Sequence, residues 1–270
     1  MERRVPVTEA VALHRRQEET WRQFLGWVDA HGDARWIFRG LGDKTFTLTP
    51  NVGRKPRYTP ADEHTLLEIF DRRVAEYRDT RNWSAWDKLA IAQHHGLPTR
   101  LLDWSTNPLV AAYFAVTSPP GAVAMRRVAD NGRVKRETIY AVPDPRLVDA
   151  RIVAWSVAER SVIDPNLRKD PFALGDVGFL MPRSLTTRIV SQGGLFSVHP
   201  NPAEAWTAPL ETKGRREPHL FDVPGEARHY FQRKLFYFGL DRQRIMGEID
   251  GICGRIAWQY TVDIGLGAVR

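Results

Sequence analysis

One stretch, "WSAWDKLAIAQHHGLPTRLLDWSTNPLVAAYFAVTS" from Trp83 to Ser118, constrains the fold more than any other. Ser84 with Asp87 three residues on has the spacing of a capping box, and Gly96 supplies the helix stop. Asn107-Pro108 then opens a second helix, with the proline at its first position. The spacing therefore predicts a helix, a tight connection holding one short extended piece, and another helix. That connection carries His94, His95, Arg100, Asp103, Ser105 and Thr106 among Leu101, Leu102 and Trp104. A core helix needs none of those polar groups, and a solvent loop does not normally hold those apolar ones.

Around it the periodicity is mixed. Thr8 to Ala30 reads as a helix with Trp21, Phe24, Leu25 and Val28 on one face. "ARWIFRG" reads as a strand, with Trp36 and Phe38 on one side and Ile37 and Arg39 on the other. After a Gly- and Pro-containing loop, Thr59 is expected as the N-cap of a helix that begins at Pro60, has Asp62 and Glu63 in its first turn, and buries Leu66, Leu67, Phe70, Val74 and Tyr77. Beyond Ser118 come short extended segments, "GAVAMRRV", "ETIYAV", "RIVSQGG", "LFSVHP" and "HLFDVP", and then helical patterns in "GEARHYFQRKLFYFGL" and "RQRIMGEIDGICGRIAWQY". The passage "RIVAWSVAERSVIDPNLRKDPFALGDVGFL" fits either a helix or a loop covering a site. With no internal repeat, the expectation is one α+β domain over 1–270: an N-terminal helix at 8–30, a motif core at 36–196, and a C-terminal strand and helices at 216–262.

Bulk properties bound the function. A 270-residue chain that is 43% hydrophobic and 26% charged can bury a sizeable core. The lone Cys253 rules out an intramolecular disulfide and a cysteine-based zinc cluster. No apolar run of signal-peptide or membrane-span length occurs, so a cytoplasmic protein without a membrane partner is expected. The net charge of +7 comes mostly from arginine, which suits a nucleotide or nucleic-acid partner. The same composition also follows from a GC-rich genome.

Three constellations carry candidate chemistry. In "WIFRG", Arg39 at a strand end suits bidentate binding of a phosphate or carboxylate, and Gly40 allows close approach of a backbone or a ligand. Anchoring a nearby acid is the alternative role for Arg39. In the opening stretch, His94 and His95 sit at a helix end, where one of them is expected to cap. Adjacent helical residues point about 100° apart, so no metal site is expected of the pair. Arg100 and Asp103 have the spacing for an internal ion pair, and Ser105 and Thr106 precede a helix start, where ligand oxygens can bind. In "RIVSQGGLF", Gln192 can donate to and accept from a sugar hydroxyl, or cap exposed backbone. No P-loop, GxGxxG, GxSxG or HExxH pattern is present.

Taken in order, "WIFRG", "QHHGLPTRLLDWSTNPLVAAYFA" and "RIVSQGGLF" resemble the FRG-domain family, named for its aromatic-Arg-Gly motif. A weaker resemblance is to ADP-ribosyltransferases of the arginine-serine-glutamate type. It implies an α+β fold with a split central β-sheet flanked by helices and NAD as substrate. It further implies that Arg39 holds the NAD diphosphate or ribose, that Ser105 or Thr106 shapes the nicotinamide pocket, and that Gln192 meets the ribose. The departure is at Gln192, where those enzymes have a glutamate whose charge stabilises the transition state. Loss of such a contact costs about 3 kcal/mol, or about a hundredfold in rate. Asp103 and Glu226 are the carboxylates that can substitute.

The leading expectation is therefore an ADP-ribosyltransferase with catalytic Arg39, His95, Asp103 and Gln192, and with Gly40, His94, Ser105 and Thr106 completing the NAD site. It would act on a protein or nucleic-acid acceptor, in a setting such as a toxin or phage defence. Two rivals stand: a non-enzymatic nucleotide- or RNA-binding module, and a nuclease using His94 or His95 as general acid or base.

Overall fold

A computed structural model describes residues 7–54, 59–121, 123–127, 137–183, 193–210, 219–262 and 264. The chain runs α1 (Val7–Ala30), β1 (Trp36–Leu41), α2 (Asp62–Val74), α3 (Ala85–His94), β2 (Leu101–Ser105) and α4 (Pro108–Thr117). It continues with β3 (Val123–Arg127), β4 (Glu137–Ala141), β5 (Ala150–Ser156), β6 (Gly178–Leu180), β7 (Gly194–Val198) and β8 (Leu220–Val223). Three helices follow: α5 (Arg228–Tyr237), α6 (Arg242–Met246) and α7 (Glu248–Thr261). The fold is α+β. Six strands form an antiparallel sheet in the order β6-β7-β2-β1-β5-β8, and β3 and β4 form a separate ribbon.

Local signals explain the middle of the chain. Ser84 and Asp87 form the reciprocal capping box of α3, and Gly96 follows its end at φ +88°. Asn107 accepts from the Leu109 N–H at 2.9 Å to cap α4. The helix, extended piece and helix expected between Ser84 and Ser118 are thus α3, β2 and α4.

Pairing within the sheet is sparsest at its centre. β1 pairs with β5 along its whole length, from Trp36 opposite Ser156 to Leu41 opposite Arg151. It meets β2 at a single position, Phe38 opposite Ser105. Residues alternate between the two faces. Phe38 joins a core with Trp21, Phe24 and Trp27 of α1, Ala111 and Ala115 of α4, and Phe231 and Leu235 of α5. Ile37 and Leu41 join the opposite face with Leu102, Trp104, Val153 and Leu195. On the other half of the sheet, Trp86, Leu89 and Ala90 of α3 pack with Leu101, Leu180, Phe196 and Val198.

Three expectations are corrected. The "RIVAWSV" segment is the inner strand β5, because a short run buried on both sides of a sheet has no period that separates it from helix. The connection after it, up to β6, packs toward α2 and α3, where Trp86 Nε1 donates to the Arg168 carbonyl at 2.5 Å. The second helix begins at Asp62, with Thr59 donating its hydroxyl to Asp62 at 2.9 Å rather than capping the helix. Its expected core face is not a core: Leu66, Leu67, Phe70 and Val74 are half-buried, Tyr77 is 81% exposed, and the buried residue of α2 is Glu63.

Candidate active site

A cleft of about 600 Å³ opens where α3 ends and α4 begins to cross the sheet. One wall is Gln93, His94, His95 and Gly96, and the other is Val110, Ala111, Phe114 and Ser118 of α4. The floor comes from Phe38–Gly40 of β1, Asp103–Ser105 of β2 and Gly194–Phe196 of β7.

Arg39 bridges the two sparsely paired strands. Its neighbours on β1, Ile37 and Leu41, face away from α4, yet its guanidinium lines the cleft and Nη1 donates to the backbone carbonyl of Asp103. A side-chain donor therefore takes the place of a ladder N–H between β1 and β2. Arg39 Nε is buried without an acceptor, and the nearest carboxylate oxygen, Asp103 Oδ2, is 3.8 Å away. Burial lowers the Arg39 pKa to about 10, Asp103 opposing and nearby Arg54 adding to the fall. The group remains a cation at neutral pH, under-compensated and largely removed from water.

Asp103 is held in place by a relay. The Leu101 N–H donates to Thr99 Oγ1 at 3.2 Å, Thr99 Oγ1 donates to Gln93 Oε1 at 2.7 Å, and Gln93 Nε2 donates to Asp103 Oδ2 at 3.0 Å. Each bond fixes the next, so the amide of Gln93 can present only its NH₂ to the carboxylate. Asp103 itself stays open to solvent, with 59% of its side chain exposed. On the opposite face of the sheet His199 is buried, bonded through Nε2 to Ser197 Oγ at 2.8 Å, and Ser197 Oγ also accepts from Trp104 Nε1 at 2.9 Å. Burial, and secondarily the charge of Arg39, push its pKa down to about 4.

Gly40 is where α4 rests. An added Cβ would lie 2.0 Å from the Ala111 carbonyl oxygen and 2.4 Å from the Ala115 nitrogen. Residues 34–122, which hold both the Arg39-Gly40 pair and the α3–β2–α4 unit, match the family model of the FRG domain. That stretch is identified as an FRG domain. No curated protein and no solved structure matches the chain. The FRG domain supplies both walls of the cleft and the β1 and β2 parts of its floor, and β7 completes it from outside the matched span.

The other expected site residues distribute as follows. His94 ends α3 and exposed His95 is its C-cap, with their rings 4.9 Å apart and perpendicular. Ser105 is buried and its Oγ accepts from the Asn107 N–H at 2.9 Å. Thr106 is exposed beside Gly193, to whose carbonyl its N–H donates at 3.1 Å, and it does not line the cleft. Gln192 lies outside the described residues. Among the described residues no three His, Cys, Asp or Glu side chains gather to hold a metal ion, and no helix is long and apolar enough to cross a membrane.

Two expectations are corrected. Arg100 does not pair with Asp103: its backbone N–H and Nε donate to Glu63 at 2.6 and 2.9 Å. On an extended strand, side chains three apart point to opposite faces, so the sequence spacing misled. Glu226 is remote from the cleft and pairs at the surface with Arg16 at 3.0 Å. That leaves Asp103 as the carboxylate at the site. Sequence reasoning passed over Gln93 and Thr99, whose roles arise only when the turn after α3 brings them beside Asp103.

Proposed function

We propose that the FRG domain binds NAD in this cleft and transfers ADP-ribose to an acceptor. The observation that carries the reading is the under-compensated Arg39 guanidinium, beside Asp103, on the floor of a cleft within the size range of small-molecule sites. A diphosphate supplies the negative charge that Arg39 lacks. Phe114 offers an aromatic wall for a flat ring, and Ser105 borders the nicotinamide end. In the reaction the bond between nicotinamide and ribose C1′ breaks, nicotinamide leaves with the electron pair, and an acceptor heteroatom bonds to C1′ as it loses its proton. Asp103 stabilises the positive charge that builds on the ribose, a role open to it because Gln192 carries no charge. His95, exposed and lining the cleft, takes the acceptor's proton.

The test is nicotinamide release from NAD by the whole protein, with RNA, single-stranded DNA and a cell lysate supplied as acceptors. Asp103→Asn keeps the Gln93 hydrogen bond and removes the charge, so release should fall by about a hundredfold. Arg39→Lys should weaken NAD binding measured directly by calorimetry. Absence of both NAD binding and release from the wild-type protein would exclude the reading.

A further inference from the structure

The helix face expected in the core is the wall of a second cavity, of about 620 Å³, lined by Phe70, Arg73, Val74, Tyr77, Arg78, Asp79, Trp83, Ile91 and His95. His95 also lines the first cleft, so the two cavities adjoin at that side chain. Tyr77 is 81% exposed, and Phe70 and Trp83 are half-buried. The rim is cationic. Asp79 is neutralised by Arg81, which binds its two oxygens at 2.9 and 2.7 Å. Arg78 makes no ion pair among the described residues, and Arg73 has only an exposed 3.7 Å contact with Glu76.

We propose that this groove binds single-stranded nucleic acid, with bases stacking on Tyr77 and Trp83 and phosphates drawn to Arg73 and Arg78, and that it leads the strand to the first cleft at His95. Exposed aromatic faces between arginines are the means by which proteins hold single strands without reading sequence, and the molecule's net charge of +7 favours the same polyanion. An acidic peptide would use the arginines but leave the aromatic faces without flat partners. That the strand is the ADP-ribose acceptor rests on the function proposed above; that it binds in the groove does not.

The experiment has two arms. In the first, fluorescence anisotropy without NAD follows labelled 12-nucleotide RNA and DNA single strands and a DNA duplex. Single strands should bind more tightly than the duplex and release as salt rises. Tyr77→Ala should weaken binding by about tenfold or more, and Arg78→Ala should weaken it and flatten the salt dependence. Both side chains are exposed, so neither change threatens the fold. No binding of either strand at low salt, or binding unchanged in the Tyr77→Ala/Arg78→Ala protein, overturns the groove. Preference between the RNA and DNA strands identifies which of the two it takes. In the second arm, NAD labelled in its ADP-ribose half is supplied with the oligonucleotide that binds. Label on the strand, lost in Tyr77→Ala, supports the acceptor role; label on protein alone overturns it. Groove-dependent strand binding with no NAD turnover on any acceptor overturns the transferase reading and leaves the groove standing.

Discussion

Burial first, and the charge of Arg39 second, keep His199 neutral behind the sheet. With a folded pKa of about 4 against an ordinary 6.5, the unfolded chain takes up the proton first as pH falls. Stability present above about pH 6.5 is therefore lost progressively toward pH 4, by about 3 kcal/mol in all. Urea unfolding near neutral pH and near about pH 4.5 should show this loss. In His199→Gln the difference between the two pH values should shrink, and an undiminished difference would assign the acid sensitivity elsewhere. Not all of this was readable from the chain. The motif "WIFRG" marked Arg39 and Gly40 as special, but one residue has two duties there: Arg39 closes the gap between two strands, and Gly40 seats a helix backbone. His199 drew no attention in "LFSVHP", because its ring packs against Trp206 and feels the charge of Arg39, both from other parts of the chain.

Helix α4 shows what capping chemistry makes legible and what it does not. Its start was readable in Asn107-Pro108, since both act on their own backbone neighbours. Its far end is held by Arg228, a residue 110 positions from Ser118, which is buried and donates to the carbonyls of Ala115, Ser118 and Gly42 at 3.0, 2.7 and 2.9 Å and to Val148 at 3.2 Å. These bonds satisfy carbonyls that the helix end leaves open, and they place a cation at the negative end of its dipole. No local pattern announces such a partner. The second helix failed the opposite way: its apolar spacing was correctly read as helical, but periodicity reports that a face is apolar and not what covers it. Arg228→Leu should keep the volume filled but strand several buried carbonyls, costing about 3 kcal/mol or more. Asn107→Ala should cost about 1 kcal/mol. Denaturant midpoints for the pair would check the order, and equal losses would refute the weight given to Arg228.

Across the whole molecule, the cleft lies between two bodies of packing that share one sheet. On one side α1, α4 and α5 build the aromatic core over β1, β5 and β8. On the other, α3 covers β2, β6 and β7, while α2 contributes little apolar burial and is joined through the buried Glu63–Arg100 pair. Phe172 belongs to the same junction, stacked on His64 at 3.9 Å and beneath the Arg100 guanidinium at 4.1 Å. Three separate stretches of chain thus meet at one ion pair. Glu63→Gln keeps the shape but leaves the Arg100 charge buried without its counter-charge, a loss of about 3 to 5 kcal/mol for pairs of this kind. Because α2 has few apolar contacts to replace the pair, the loss should appear first as local opening. Hydrogen exchange should accelerate in α2 and around Phe172, while amides of α4 and β5 keep their protection. Since Gly96 and His95 lie just before Arg100 on the same connection, the proposed binding of NAD or of an oligonucleotide should weaken in the same variant. Uniform acceleration across both bodies would mean that the molecule opens only as one unit, and that the Glu63–Arg100 pair has no separate hold on the side of the cleft that carries His95.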